Sequence, residues 1–115
     1  KEYVDKKFDN YGRMETINAT IDPQYIENLS CVKIKNIVHL FVRMRGAKEG
    51  LIEIASGLPK SFINLEFYAH INNSNGKAVR LTINTDGKLY LSYTDEYTTS
   101  QGHESVACLV YLTND

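Results

Sequence analysis

The stretch Lys77–Tyr93, KAVRLTINTDGKLYLSY, constrains the fold more than any other part of this chain. Val79, Leu81 and Ile83 recur at every second position before Asp86-Gly87, and Leu89, Leu91 and Tyr93 do so after it. Side chains alternate across a strand, so each run lays its apolar residues on one face. Asp-Gly between two such runs is a strong hairpin signal, and the type I′ turn it suggests needs positive φ at both central residues. The segment speaks for a β fold and carries no chemistry of its own.

Other segments follow the same period. Val38, Leu40, Val42 and Met44 alternate with His39, Phe41, Arg43 and Arg45. Ile63, Leu65, Phe67, Ala69 and Ile71 alternate with Asn64, Glu66, Tyr68 and His70. Cys31–Lys35 and the run LIEIAS read as further strands, and Ser105–Leu112 as the last, with Val106, Cys108, Val110 and Leu112 expected inward. Met14, Thr16 and the stretch from Ile17 to Ile21 suggest an extended segment ending at Asp22-Pro23. Turn signals separate these runs: Glu27-Asn28-Leu29, the polar loop Gly46–Gly50, Leu58-Pro59-Lys60-Ser61 and Asn72–Gly76. Thr94–Glu104 is the longest polar segment and reads as an exposed loop. About eight short strands with regular punctuation predict an all-β fold, an antiparallel sandwich or barrel.

The first dozen residues differ. Tyr3 or Val4, Phe8 and Tyr11 recur at three- and four-residue spacing, a helical stripe that Gly12 would stop. So short a helix is marginal in water and needs a partner, either the β domain or copies of itself. The boundaries are therefore a helical end over 1–12 and one β domain over 13–115. At 115 residues the chain suits a single core. Because it opens at Lys1 rather than Met, a piece of a longer protein is expected.

A net charge of −1 gives no field to draw nucleic acid or an acidic membrane surface. The apolar run Ile37–Val42 is far short of a bilayer span, so no membrane insertion is expected, and no stretch reads as a signal peptide. Cys31 and Cys108 sit in apolar runs and are expected as free, buried thiols. Neither Cys/His ligand spacing nor a phosphate-binding glycine loop occurs, so no metal or cofactor is expected. No Gly-x-Ser-x-Gly elbow supports a nucleophile, so no catalytic residue is assigned. The basic residues around Arg43 and Arg45 are explained by solvent-facing strand positions.

Tyrosine departs from the ordinary: eight Tyr and no Trp. Tyr93 and Tyr111 fall on core parities. Tyr68 and Tyr90 fall opposite, and with Phe41 they suggest that the outer faces are not fully wet, as at a subunit interface. Tyr97, in the polar loop with Asp95 and His103, is the best placed to touch a ligand.

The order of elements is also informative. NLSCVKIKNIVHLFVRMRG, EGLIEIASGLPKSFINLEFYA, GKAVRLTINTDGKLYLS and a final VACLVYLTND resemble the C-terminal head domains of tail-fibre and baseplate proteins from phages and prophages of Gram-positive bacteria. The resemblance covers about Asn28–Asp115. KEYVDKKF resembles the helical ends that precede such heads. Asn36-Ile37 stands where the family often has Asn-Gly, so a wider turn is expected there, and Ser61-Phe62 replaces Arg-Pro after the Leu-Pro turn.

The resemblance implies a jelly-roll-like β-sandwich assembled as a homotrimer on the virion, at the phage tail tip or baseplate. Its implied function is attachment to host cell-wall saccharide, without catalysis. The alternative is a structural module that binds only other phage tail proteins. In the trimer, residues 1–12 become a stalk end, and Phe8, Phe41, Tyr68 and Tyr90 become interface candidates. Asp95, Tyr97 and His103 become candidate saccharide contacts.

Overall fold

The computed structural model describes residues 13–47, 49–72, 77–93 and 104–115, and the backbone of 97–98. The expected helix over 1–12 lies outside the described residues. Among the described residues eleven strands follow in order: β1 (Met14–Thr16), β2 (Thr20–Ile21), β3 (Ile26–Ile34), β4 (Ile37–Met44), β5 (Gly46–Ala47) and β6 (Gly50–Ser56). β7 (Leu65–Ile71), β8 (Ala78–Ile83), β9 (Leu89–Tyr93), β10 (Tyr97–Thr98) and β11 (Ser105–Leu112) complete the chain.

The all-β, antiparallel expectation is met. Nine strands join in one sheet of order β1-β3-β4-β11-β7-β8-β9-β6-β2, and β5 pairs with β10 in a separate ribbon. β1 and β2 occupy opposite edges of that sheet, yet only residues 17–19 connect them. Three linking residues span about 14 Å at most, whereas nine flat strands would set the edges about 38 Å apart. The sheet therefore curls, like part of a barrel wall, until its edges approach. The curl wraps one core. Val38, Leu40, Val42 and Met44 from β4 meet Val79, Leu81 and Ile83 from β8, and Leu89 and Leu91 from β9. Each large apolar side chain buried in this way contributes about 1.5–3 kcal/mol.

The seam between the two halves is narrow. β11 pairs with β4 along its whole length but with β7 only at Ser105↔Ile71 and Val106↔His70. One half is thus β1-β3-β4-β11, and the other is β7-β8-β9-β6-β2.

Several local expectations are corrected. β11 has the opposite parity: Ser105, Ala107 and Tyr111 are buried, while Val106, Cys108, Val110 and Leu112 are exposed. Tyr111 decides it, because its ring enters the core and its hydroxyl donates to the Pro59 carbonyl at 2.8 Å. Cys108 is accordingly exposed, and only Cys31 is buried.

The hairpin between β8 and β9 is not type I′. Only Gly87 has positive φ, at 79°, and its N–H donates to the Asn84 carbonyl, while Asn84 N–H donates to Lys88. That pattern is a type I turn followed by a left-handed glycine. The turn at Lys35-Asn36 is tight rather than wide: Ile34 faces Ile37, and Lys35 takes φ 55°. Glu27-Asn28 lies inside β3 at a register shift instead of forming a turn. Gly46–Ala47, read as loop, forms the buried β5. β7 starts at Leu65, which leaves Phe62 and Ile63 exposed before it.

Candidate interaction surface

The curl leaves two outer faces, one on each half, and the register specifies both. On the β7-β8-β9-β6 half, Tyr68, Arg80, Ser92 and Leu51 form one cross-strand row, and Glu66, Thr82, Tyr90 and Glu53 form the next. Charges on this half are matched. Arg80 lies 3.7 Å from Glu66 and donates to Ser92 Oγ at 3.2 Å, and Lys88 lies 3.4 Å from Glu53. The carboxylate of Glu53 raises the Lys88 ammonium pKa by hydrogen bonding and attraction. These exposed pairs set the character of the face more than its stability.

The β1-β3-β4-β11 half differs. Met14, Ile34, Ile37 and Leu112 align in one row across all four strands. Thr16, Val32, His39 and Val110 form the second row, and Ser30, Phe41 and Cys108 the third. Asn28, Arg43 and Val106 close the face. Met14, Ile37, Val106, Val110 and Leu112 are between 39% and 64% exposed. Exposed apolar side chains are common singly, but a contiguous set on neighbouring strands marks an interaction surface.

Arg43 is the only charge among these rows, and two glutamates flank it, although its buried Nε makes no hydrogen bond. Its Nη2 donates to Glu104 Oε2 at 2.6 Å, and its Nε lies 3.5 Å from Glu27 Oε2. Hydrogen bonding to Glu104, then the pull of both glutamates, raises its already high pKa. The clamp ties β3 and β4 to the start of β11, where Asn72 N–H also donates to the Glu104 carbonyl.

At the opposite end of the fold, the Leu58-Pro59 turn rests on the hairpin. Leu58 N–H donates to the Gly87 carbonyl at 3.1 Å. Beside it, Tyr111 holds Pro59, Lys60 N–H donates to Asp115 Oδ2, and Lys33 Nζ donates to the Asp115 carbonyl. The chain end is thereby fixed against the Leu-Pro turn and β3. Burial raises the Tyr111 hydroxyl pKa, with the neighbouring Cys31 and Asp115 adding to it. Burial likewise pushes the Cys31 thiol up to about 11.

The residues singled out from sequence are spread over these surfaces. Phe41 lies half-buried on the apolar face, opposite Ser30 and Cys108. Tyr68, 62% exposed, and Tyr90, half-buried, lie on the charged half. Tyr97 pairs through its backbone with Ala47. Phe8, Asp95 and His103 lie outside the described residues. Sequence reading missed the apolar rows because Val106, Val110 and Leu112 were assigned to the core; a core role for Tyr111 already implied the opposite parity.

A shallow cleft of about 210 Å³ runs between β2 and the end of β6, with Thr20, Asp22, Glu53 and Ser56 as its polar lining. Its carboxylates are engaged, Asp22 with Gln24 N–H and Glu53 with Lys88. Among the described residues, no three of His, Cys, Asp and Glu come together to hold a metal. No protein-family model matches the chain, and neither a curated protein nor a solved structure matches it.

Proposed function

We propose that this chain is the head domain through which a phage tail fibre or baseplate protein attaches to a host cell. In this reading it is a non-catalytic homotrimer that binds cell-wall saccharide. The support begins with the elements that carry the resemblance. The Leu58-Pro59 turn, the Asp86-Gly87 hairpin and the closing strand β11 are packed on one another through the Leu58–Gly87 and Tyr111–Pro59 hydrogen bonds. Their order in sequence is thus the order of one packed unit, as a conserved head architecture would require.

The observation that carries the attachment reading is the contrast between the outer faces. One half is apolar enough to need a protein neighbour, which suits a head that works in multiple copies. Joined weak sites raise total avidity without requiring a deep pocket in each copy. The two halves, meeting at two residue pairs, serve in this reading as the layers of a jelly-roll-like sandwich. Residues 1–12 serve as the stalk end, and Asp95, Tyr97 and His103 as saccharide contacts.

The same apolar face favours a second reading, a structural module that joins only other tail proteins. Binding of fluorescently labelled protein to whole Gram-positive cells separates the two. Attachment predicts cell binding that is lost when wall saccharide is stripped. Unchanged binding after stripping, or none to any cell tested, overturns the saccharide reading.

A further inference from the structure

We propose that the outer face of β1-β3-β4-β11 turns towards the three-fold axis of the homotrimer, where the same face of the other two copies of this chain covers it. The inference deepens the oligomeric part of the attachment reading and rests on it, but it specifies the surface. Three observations select the occupant.

The first is chemistry. Across the rows Met14-Ile34-Ile37-Leu112 and Thr16-Val32-His39-Val110 there is no Lys, Arg, Asp or Glu. A charged polymer would find no partner groups there. An identical apolar face can cover it without stranding a charge, because the one cation, Arg43, already holds Glu27 and Glu104.

The second is size. With strands about 4.8 Å apart and same-face residues about 6.7 Å apart, the rows cover about 450 Å² of flat sheet per copy. Side-chain relief brings two such faces to the ~1,000 Å² at which specific association begins. The expected complex is therefore real but dilutable. The third is contrast: the other half has its charges paired with one another and presents no comparable apolar row.

Cys108 reports on the contact because it sits in the third row, while Cys31 is buried in the core and serves as an internal control. The test is iodoacetamide labelling of the full chain, followed by mass spectrometry across a hundredfold dilution series, alongside light scattering. Cys108 should react several-fold more slowly at high concentration, in step with rising mass, while Cys31 stays unlabelled throughout. Val110→Asp and Leu112→Asp should lower the mass to that of one chain while Cys31 stays protected. Leu51→Asp, on the charged half, should leave the mass unchanged.

Protection of Cys108 that does not vary with concentration would mean that the chain covers its own face, for example with residues 1–12, and overturns the proposal. An oligomer that survives Val110→Asp overturns this surface but leaves the attachment reading standing. Dissociation of the variants with undiminished cell binding supports the surface and counts against multivalent attachment.

Discussion

Gly87 should be the least replaceable of the positive-φ glycines Gly50, Gly57 and Gly87, for a reason separable from its backbone angle. A Cβ built on Gly87 would lie 2.3 Å from the Leu58 carbonyl oxygen and 3.3 Å from its carbon. An ordinary carbon–oxygen contact is about 3.3–3.6 Å, so the two turns must part by about 1 Å. That movement stretches the 3.1 Å hydrogen bond from Leu58 N–H to the Gly87 carbonyl beyond useful range, a loss of about 1 kcal/mol. It also loosens Leu58, which is only 4% exposed, at a cost of about another 1 kcal/mol. The left-handed φ of 79° adds about 1 kcal/mol for any side chain. Gly87→Ala should therefore destabilise the fold by about 3 kcal/mol.

Gly57 supplies the control. Its φ of 78° is nearly the same, but the nearest atom to an added Cβ is Ala19 Cα at 4.0 Å. Gly57→Ala should cost only the backbone share, about 1 kcal/mol. Urea unfolding followed by circular dichroism gives both values under the same conditions. Equal destabilisation of the two variants, within about 0.5 kcal/mol, would refute the packing of the Leu-Pro turn on the hairpin.

Three further outcomes follow from the same contacts. Tyr111→Phe keeps the ring but leaves the buried Pro59 carbonyl without its donor, and should cost about 1–3 kcal/mol by urea unfolding; a neutral result would remove the hydroxyl from the account of β11 parity. Leu81→Asp should abolish the folded circular dichroism spectrum, whereas Arg80→Asp should leave a cooperative transition, and equal tolerance would mean the β8 register is inverted. Stability should also fall in alkali. Folding raises the pKa of the Cys31 thiol to about 11 and raises that of the Tyr111 hydroxyl, so the unfolded chain gives up these protons first. The urea midpoint should therefore hold below about pH 9 and fall as pH rises towards 11, with a shallower fall in Cys31→Ala. A flat profile across that range would contradict the burial of both groups.

The parts legible in sequence were those whose two faces contrast. β4 and the β8–β9 hairpin alternate apolar with polar, so their inward sets, Val38 to Met44 and Val79 to Leu91, were readable from period alone. β11 offers no such contrast. Val106 to Leu112 is apolar on both parities, and the choice between them rests on Tyr111 reaching Pro59, a partner 52 residues away. The hairpin turn was visible as Asp-Gly, but its type depends on Asn84 and Lys88 and on the close approach of Leu58 to Gly87. β1 and β2, three and two residues long, are too short to show a period. The apolar face was hidden for a related reason: its rows run across strands, and Met14, Ile34, Ile37 and Leu112 become neighbours only through pairing.

The central claim is that one half of the sheet is covered by the other copies of the chain in the proposed homotrimer. The molar mass of the full chain by light scattering at high concentration tests it most directly. A homotrimer gives three times the 13.1 kDa of one chain, about 39 kDa. A mass of 13.1 kDa at every concentration would contradict it.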